Sequence, residues 1–329
     1  MSFIHLRVAS AYSFKYGTTQ PRDLVARASE LEMPALALTD RDGLAGAIRF
    51  TKAAVTHGIA PIIGVNLAIR IGDTSGALPR VTVLAHGDGG WRSLVRLMTG
   101  LQMNSPDRTP VLTPELLEKF SSYTSQLHLL HGPESPVSQA LTAHRFDAAL
   151  TIFNQTRDLF ADHAIECVSH LAPGNGPRST AHAARSLIFA RDNDIDAVLT
   201  NAVRMCHRDD GPVADVLDCA RQLVPLHPRH VERRNAEGYL KSNEQMVSLA
   251  AEIARAAGER TPRALLNTTR QWAERALLSP QRDLGLGAIH LPEPHVVGAD
   301  SANQMRTLLR SRCESGINWR YNSSDHCDT

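Results

Sequence analysis

Between residue 1 and about residue 205 the chain alternates short apolar runs with amphipathic stretches, and this rhythm narrows the choice of fold more than any other feature. Apolar runs of strand length fall at residues 5–9, 35–39, 61–69, 81–85, 127–130, 165–168 and 197–200, with 61–69 read as a strand pair around Gly64. The stretches between them carry helix signals. Thr19 can cap a helix whose first turn contains Pro21 and whose apolar face is Leu24, Ala28 and Leu31. Asp40 to Gly43 form a turn into a helix that Gly58 stops. Further helices are expected at 91–98, 137–141, 146–160 and 181–191. Strands alternating with helices predict parallel strands joined by crossovers, and about seven of them predict a closed or nearly closed barrel. Active groups in such barrels sit at the C-terminal strand ends. Arg7, Ala9, Asp40, Arg41, Asn66, Ala202 and Arg204 all fall at or just beyond those ends.

After residue 205 the pattern turns helical, with helices expected at 210–221, 246–257, 264–278 and 301–316. A basic segment at 227–234 follows Pro225, contains Pro228 and reads as a loop. Residues 290–294 (His-Leu-Pro-Glu-Pro) form a stiff connector, and 322–329 is polar enough to be disordered. A net charge of +1 gives the chain no overall bias toward nucleic acid or membrane, so any phosphate contact needs a local patch. The N-terminus lacks the pattern of a signal peptide, and no apolar run reaches membrane-spanning length. The five cysteines are scattered without CxxC spacing, which fits reduced thiols and a cytoplasmic location.

Other chemistry-bearing patterns carry less. His5, His86, His128, His131, His170 and the adjacent Cys206-His207 do not share faces in a way that builds a metal site. Lone histidines of this kind are mostly structural or solvated. The acidic run at 192–196 contains Asp-x-Asp but precedes a short strand, where a turn and cap suffice. Gly17, Gly43, Gly46, Gly64 and the 87–90 turn form no phosphate loop, and no Gly-x-Ser-x-Gly elbow occurs.

Several phrases resemble one family. Residues 3–13 and 38–41, the run 33–40, the run 58–64, the stretch 197–204 and the stretch 238–242 resemble, in order, the PHP (polymerase and histidinol phosphatase) domain that opens the alpha subunit of bacterial DNA polymerase III. Leu291-Pro292 and residues 308–321 resemble the start of the polymerase core. The resemblance implies an α/β fold, a PHP-type distorted (β/α)7 barrel followed by a small helical segment. It divides the chain into a barrel domain at 1–234, a helical extension at 235–287, the start of the polymerase core at 288–321 and a disordered tail at 322–329. The error-prone, damage-tolerant branch fits best.

In metal-binding relatives, His, Asp and Glu ligands hold two or three cations. Carried over, those positions become Arg7, Ala9, Tyr16, Asp40, Arg41, Asn66, Ala202 and Arg204, and a Cys some members carry becomes Pro133. Arginine stays protonated and cannot ligate a cation. The expectation is a vestigial site with no catalytic residues, no metal and no cofactor in this chain, although the family uses divalent metals. Two readings of the arginines follow. They pair with leftover carboxylates such as Asp40 or Asp42, or Arg7, Arg41 and Arg204 converge on a phosphate or an acidic partner loop.

By resemblance the parent activity is template-directed DNA synthesis by a nucleotidyltransferase, in replication or error-prone repair. Its partners would be DNA and other replication or repair proteins, without a membrane. The palm and fingers are not in this sequence, so a truncated or frameshifted product with a scaffold role is expected. Leu308, Leu309, Ile317 and Trp319, within 301–321, would then offer a protein contact. The alternative is a stand-alone metal-dependent phosphoesterase or 3'-5' exonuclease of the same family.

Overall fold

The computed structural model describes residues 2–71, 77–105, 109–231, 233–289 and 294–321. Met1–Leu284 form one compact unit and Gly285–Thr329 a second. The described residues of the first unit form seven strands: β1 (Ala35–Arg41), β2 (Ala60–Ile69), β3 (Arg80–Ala85), β4 (Val111–Leu112), β5 (Leu127–His131), β6 (Asp162–Cys167) and β7 (Asp196–Leu199). Among the described residues eleven α-helices accompany them: α1 (Pro21–Glu30), α2 (Ala47–Thr56), α3 (Gly87–Met103), α4 (Pro114–Lys119), α5 (Ser121–Thr124), α6 (Pro136–Thr142), α7 (Phe146–Arg157), α8 (Thr180–Asp192), α9 (Gly211–Gln222), α10 (Asn243–Ala256) and α11 (Arg263–Arg275).

The sheet runs β1-β2-β3-β5-β6-β7, with β4 beside β2. Residues 5–9 close it into a ring. Ala37 N–H and Thr39 N–H donate to the carbonyls of His5 and Val8, at 3.0 and 2.8 Å. On the other side Ala9 N–H donates to Val203 O at 2.8 Å, and Val203 N–H to Arg7 O at 3.0 Å. The expected first strand is therefore an extended segment with a single parallel bridge, Val8 to Val203. The sheet is not all parallel as the alternation implied, because β3 runs antiparallel to both β2 and β5. β2, which precedes it in sequence, pairs with it directly, and an antiparallel pair needs no crossover. Residues 61–69 form one strand rather than a pair. Gly64 lies within it, where a Cβ would sit 2.4 Å from the Val83 carbonyl oxygen. The residue preceding α1 is Gln20 and not Thr19, and it makes no side-chain cap.

Strand periodicity sorts the barrel interior into two layers. The lower layer is apolar: Leu6, Ala37, Ile62, Leu84, Leu130, Ala164 and Val198, with Trp272 of α11 fully buried against it. Two residues further along the same faces lie Thr39, Gly64, Thr82, Glu166 and Thr200, so the upper layer is mostly polar. Trp272 anchors the lower end, its indole N–H donating to Asp196 at 2.7 Å. Thr269 accepts from Leu199 N–H at 2.8 Å. Met246, Leu249, Ala250 and Ile253 of α10 share a core with Ala183, Leu187 and Ala190 of α8. Residues 235–284 thus belong to the same compact body as the barrel.

In the second unit, α12 (Ala302–Tyr321) leaves Leu309, Ile317, Trp319 and Tyr321 exposed. The connector at 290–293 and the tail at 322–329 lie outside the described residues. No helix among the described residues is long and apolar enough to cross a membrane.

Several histidines are buried as neutral rings. His131 stacks on His163 with ring centroids 5.7 Å apart, beside Phe153 and Phe160. Burial pushes His131 down to about 3 and His163 to about 4, and does the same to His128, about 3, and His5, about 4. Unfolded histidine titrates near 6.5, so the unfolded chain takes up these protons first. Stability is complete above that value and falls as pH drops toward the folded values, by at most about 1.4 kcal/mol per pH unit per histidine. Urea midpoints should therefore be level near about pH 7 and fall steeply below about pH 6, with a shallower fall in His131→Phe. A midpoint that holds to about pH 4 contradicts the buried neutral rings.

Candidate functional site

The upper layer gathers the positions singled out from the sequence. Arg7, Ala9, Tyr16, Arg41, Asn66 and Ala202 line one void of about 10 Å³. That is room for a single water at most. Asp40 and Arg204 flank this group.

Glu134, which follows β5, sits at the centre. Its carboxylate receives Arg7 Nη2 at 2.6 Å and Arg41 Nη2 at 3.4 Å, and Arg178 Nη2 closes on the same group. Arg7 Nη1 also reaches Glu166 at 3.1 Å, and Glu166 accepts from Thr200 Oγ1 at 3.0 Å. Burial alone would raise the Glu134 carboxyl, but Arg7, Arg178 and Arg41 outweigh it and hold it well below the usual carboxylate range. Glu166 is fully buried, and burial lifts its carboxyl above the ordinary value despite Arg7 and Thr200. Arg7 is the mirror case: burial opposes its charge, and Glu166 and Glu134 more than restore it. Gly132 makes this approach possible, because a Cβ there would lie 1.9 Å from a Glu166 carboxylate oxygen and 2.5 Å from Arg7 Nη1.

Tyr16 lies between two guanidinium groups, with Arg41 3.3 Å and Arg204 4.3 Å from its ring centroid. Arg204 donates through Nη2 to the Tyr16 carbonyl at 2.9 Å and forks onto Asp218 at 3.0 and 2.9 Å. Asp218 is fully buried and also accepts from Arg221 at 3.2 Å. The Asp40 carboxylate accepts from Ser10 N–H at 2.6 Å, Ser10 Oγ at 2.9 Å and Ser13 Oγ at 2.7 Å. Burial raises its carboxyl, and these hydrogen bonds draw it only part of the way back. Asn66 donates to Val81 O and Thr82 Oγ1 and accepts from Arg80 Nε at 2.7 Å. Ala9 and Ala202 are buried and supply no donor atoms.

The arginines are paired, but not with the expected carboxylates. Asp40 serves Ser10 and Ser13, and Asp42 pairs with Arg80 at 2.6 Å. Glu134, Glu166 and Asp218 take the role instead. Glu166 had a readable signal, being a lone acid inside the apolar run 165–168. Glu134 and Asp218 had none, since a loop position and a helix face reveal their targets only in three dimensions.

Divalent metals of the family kind do not fit these residues. Three guanidinium groups (Arg7, Arg41, Arg204) and two alanines (Ala9, Ala202) stand at the positions that the resemblance assigns to ligands, and the Glu134 carboxylate is taken by Arg7, Arg41 and Arg178. Among the described residues no three His, Cys, Asp or Glu side chains gather where a metal could sit.

Residues 5–170 match the PHP domain family, and the chain belongs to it. It is homologous to the N-terminal regions of two kinds of bacterial polymerase. It is 30% identical over 277 residues to an error-prone DNA polymerase of Symbiobacterium thermophilum, covering 78% of this chain and 24% of that protein. It is 28% identical over 273 residues to the DNA polymerase III subunit alpha of Escherichia coli K12, covering 81% and 22%. The chain thus spans about a quarter of the length of the curated relatives it matches. Among solved structures, an amidohydrolase from Chromobacterium violaceum aligns with 61% of this chain and 87% of its own, at 13% identity and a TM-score of 0.42.

Truncating one partner of a buried ion pair strands the other charge. Arg204→Ala should therefore cost about 3–5 kcal/mol by urea denaturation, and Asp218→Asn a comparable amount. A loss below about 1 kcal/mol for both would show that the pair is solvated and not structural.

Proposed function

We propose that this chain is a non-catalytic PHP barrel, the scaffold portion of a DNA polymerase III alpha-like protein, in which an arginine–glutamate lattice replaces the metal cluster. The observation that carries this is the void of about 10 Å³ left among six of the eight former ligand positions. Arg7 supplies the positive charge that ions would otherwise bring, and Glu134 and Glu166 receive it. Hydroxide generation needs an ion with an open coordination position, and a guanidinium offers none.

The whole relatives' activity, DNA synthesis in replication or error-prone repair, is the setting proposed for this barrel, not an activity of these residues. Within that setting its neighbours would be DNA and other replication or repair proteins in the cytoplasm. Residues 1–234 would form the barrel, 235–287 the helical extension and 288–321 the start of the polymerase core region. There Leu309, Ile317 and Trp319 of α12 would meet protein. The other reading, a metal-dependent phosphoesterase or 3'-5' exonuclease, requires electron donors at positions filled by Arg7, Ala9, Arg41 and Ala202.

Metal content and hydrolysis test the choice. Purified protein exposed to manganese, zinc or magnesium should retain far less than one ion per chain. It should release no phosphate or nucleotide above background, with or without chelator or Asp40→Ala. A retained ion together with chelator-sensitive release that Asp40→Ala abolishes contradicts the proposal.

A further inference from the structure

Beside the arginine–glutamate lattice a cleft of about 210 Å³ opens to solvent, lined by guanidinium groups from four segments and by the Glu134 carboxylate that Arg7, Arg41 and Arg178 already neutralise. Arg41 comes from the end of β1, Arg178 from the loop after β6, and Arg233 and Arg234 from the loop after α9. We infer that this cleft binds a phosphate-type oxyanion through Arg41, Arg178 and Arg234. The inference rests on the reading that the barrel mouth carries no metal, and deepens it by giving the displaced charge a ligand.

Charge is out of balance there. Arg7, Arg41 and Arg178 share two carboxylates, Glu134 and Glu166. Arg204 has Asp218, and Arg233 forks onto Asp215 at 2.6 Å through both Nε and Nη2. Arg234, exposed on the cleft wall, has no ion pair among the described residues. Six guanidinium groups thus face four carboxylates. Donors are left over as well: the Nε atoms of Arg41 and Arg178 are buried without an acceptor among the described residues. A buried donor without a partner is costly, and an anion in the cleft would meet such donors together with the exposed, unpaired charge of Arg234.

Arg178 is held in place at a conformational cost. Its φ is +66°, in the left-handed region that residues other than glycine rarely adopt. Its carbonyl accepts from His170 N–H at 2.8 Å, which ties the loop across the cleft edge. His170 adds no positive charge, because burial pushes its pKa down to about 3. The ligand class follows from the approach directions. A planar carboxylate is matched by one guanidinium fork, and Glu134 already fills that role. Guanidinium groups arriving from three segments suit a tetrahedral anion with acceptors on several sides. Arg204 also lines the cleft but is committed to Asp218 and the Tyr16 carbonyl, and Arg7 braces the site from behind through Glu166.

The test is calorimetry and thermal melting with inorganic phosphate, a deoxynucleoside monophosphate and acetate, each against chloride at equal ionic strength. Phosphate should raise the melting temperature above the chloride control and bind with a measurable heat. The nucleotide arm shows whether the phosphate is preferred free or carried on a nucleoside. Arg234→Ala, an exposed change, should weaken phosphate about tenfold. Arg41→Gln with Arg178→Gln should abolish binding, while Arg49→Gln on exposed α2 surface should leave it intact. Three results would overturn the inference: no effect beyond chloride, an equal effect from acetate (which marks a carboxylate-bearing protein partner), or unchanged affinity in Arg234→Ala. Metal analysis of the same preparation separates two failures. A metal-loaded protein overturns the metal-free reading, whereas a metal-free protein indifferent to phosphate overturns this inference alone.

Discussion

One carboxylate organises the mouth of this barrel. Glu134 receives Arg7, Arg41 and Arg178, and through Arg7 it is coupled to Glu166. In a solvated setting such pairs contribute little. Here Arg7 and Glu166 are buried, so each charge depends on the others for its existence as an ion. On the proposed reading the lattice would occupy the volume and supply the charge that a cation cluster would, but a guanidinium has no lone pair to share and no vacant coordination position. A barrel built this way would keep its electrostatic form and lack the means of making hydroxide.

The fold delivers this arrangement through the two-residue period of its strands. The same alternation that points Ala164 and Val198 into the apolar lower layer points Glu166 and Thr200 into the polar upper one. Closure depends on residues 5–9, which bond to β1 on one side and to Val203 on the other, and this places Arg7 beside the strands that carry its partners. Trp272 fills the lower end, so the extension after residue 234 is part of what holds the barrel in shape. Gly132 leaves the space in which Arg7 and Glu166 meet, a sequence position whose need for glycine is set entirely by tertiary contact.

How much of this could be read beforehand depended on whether the signal was local. Strands β1, β3, β5, β6 and β7 were legible because their apolar runs are short and bounded by turn residues, whereas the run of β2 was divided at Gly64 into a pair that is one strand. The direction of β3 was not legible, since periodicity says nothing about orientation. The eight site positions came from resemblance, and six of them line one void. Their partners were not legible, because ion pairing across 159 residues, from Arg7 to Glu166, leaves no trace in spacing. The acids nearest in sequence, Asp40 and Asp42, were the natural guess. Ser10, Ser13 and Arg80 claim them instead.

The most direct test of the central claim is a crystal structure from crystals grown with manganese in millimolar excess, with data collected at the manganese edge. The account predicts no anomalous peak at the barrel mouth and Arg7 lying between Glu134 and Glu166. A well-occupied anomalous peak there, with Arg7 swung away and Glu134 or Glu166 turned onto the ion, would contradict it.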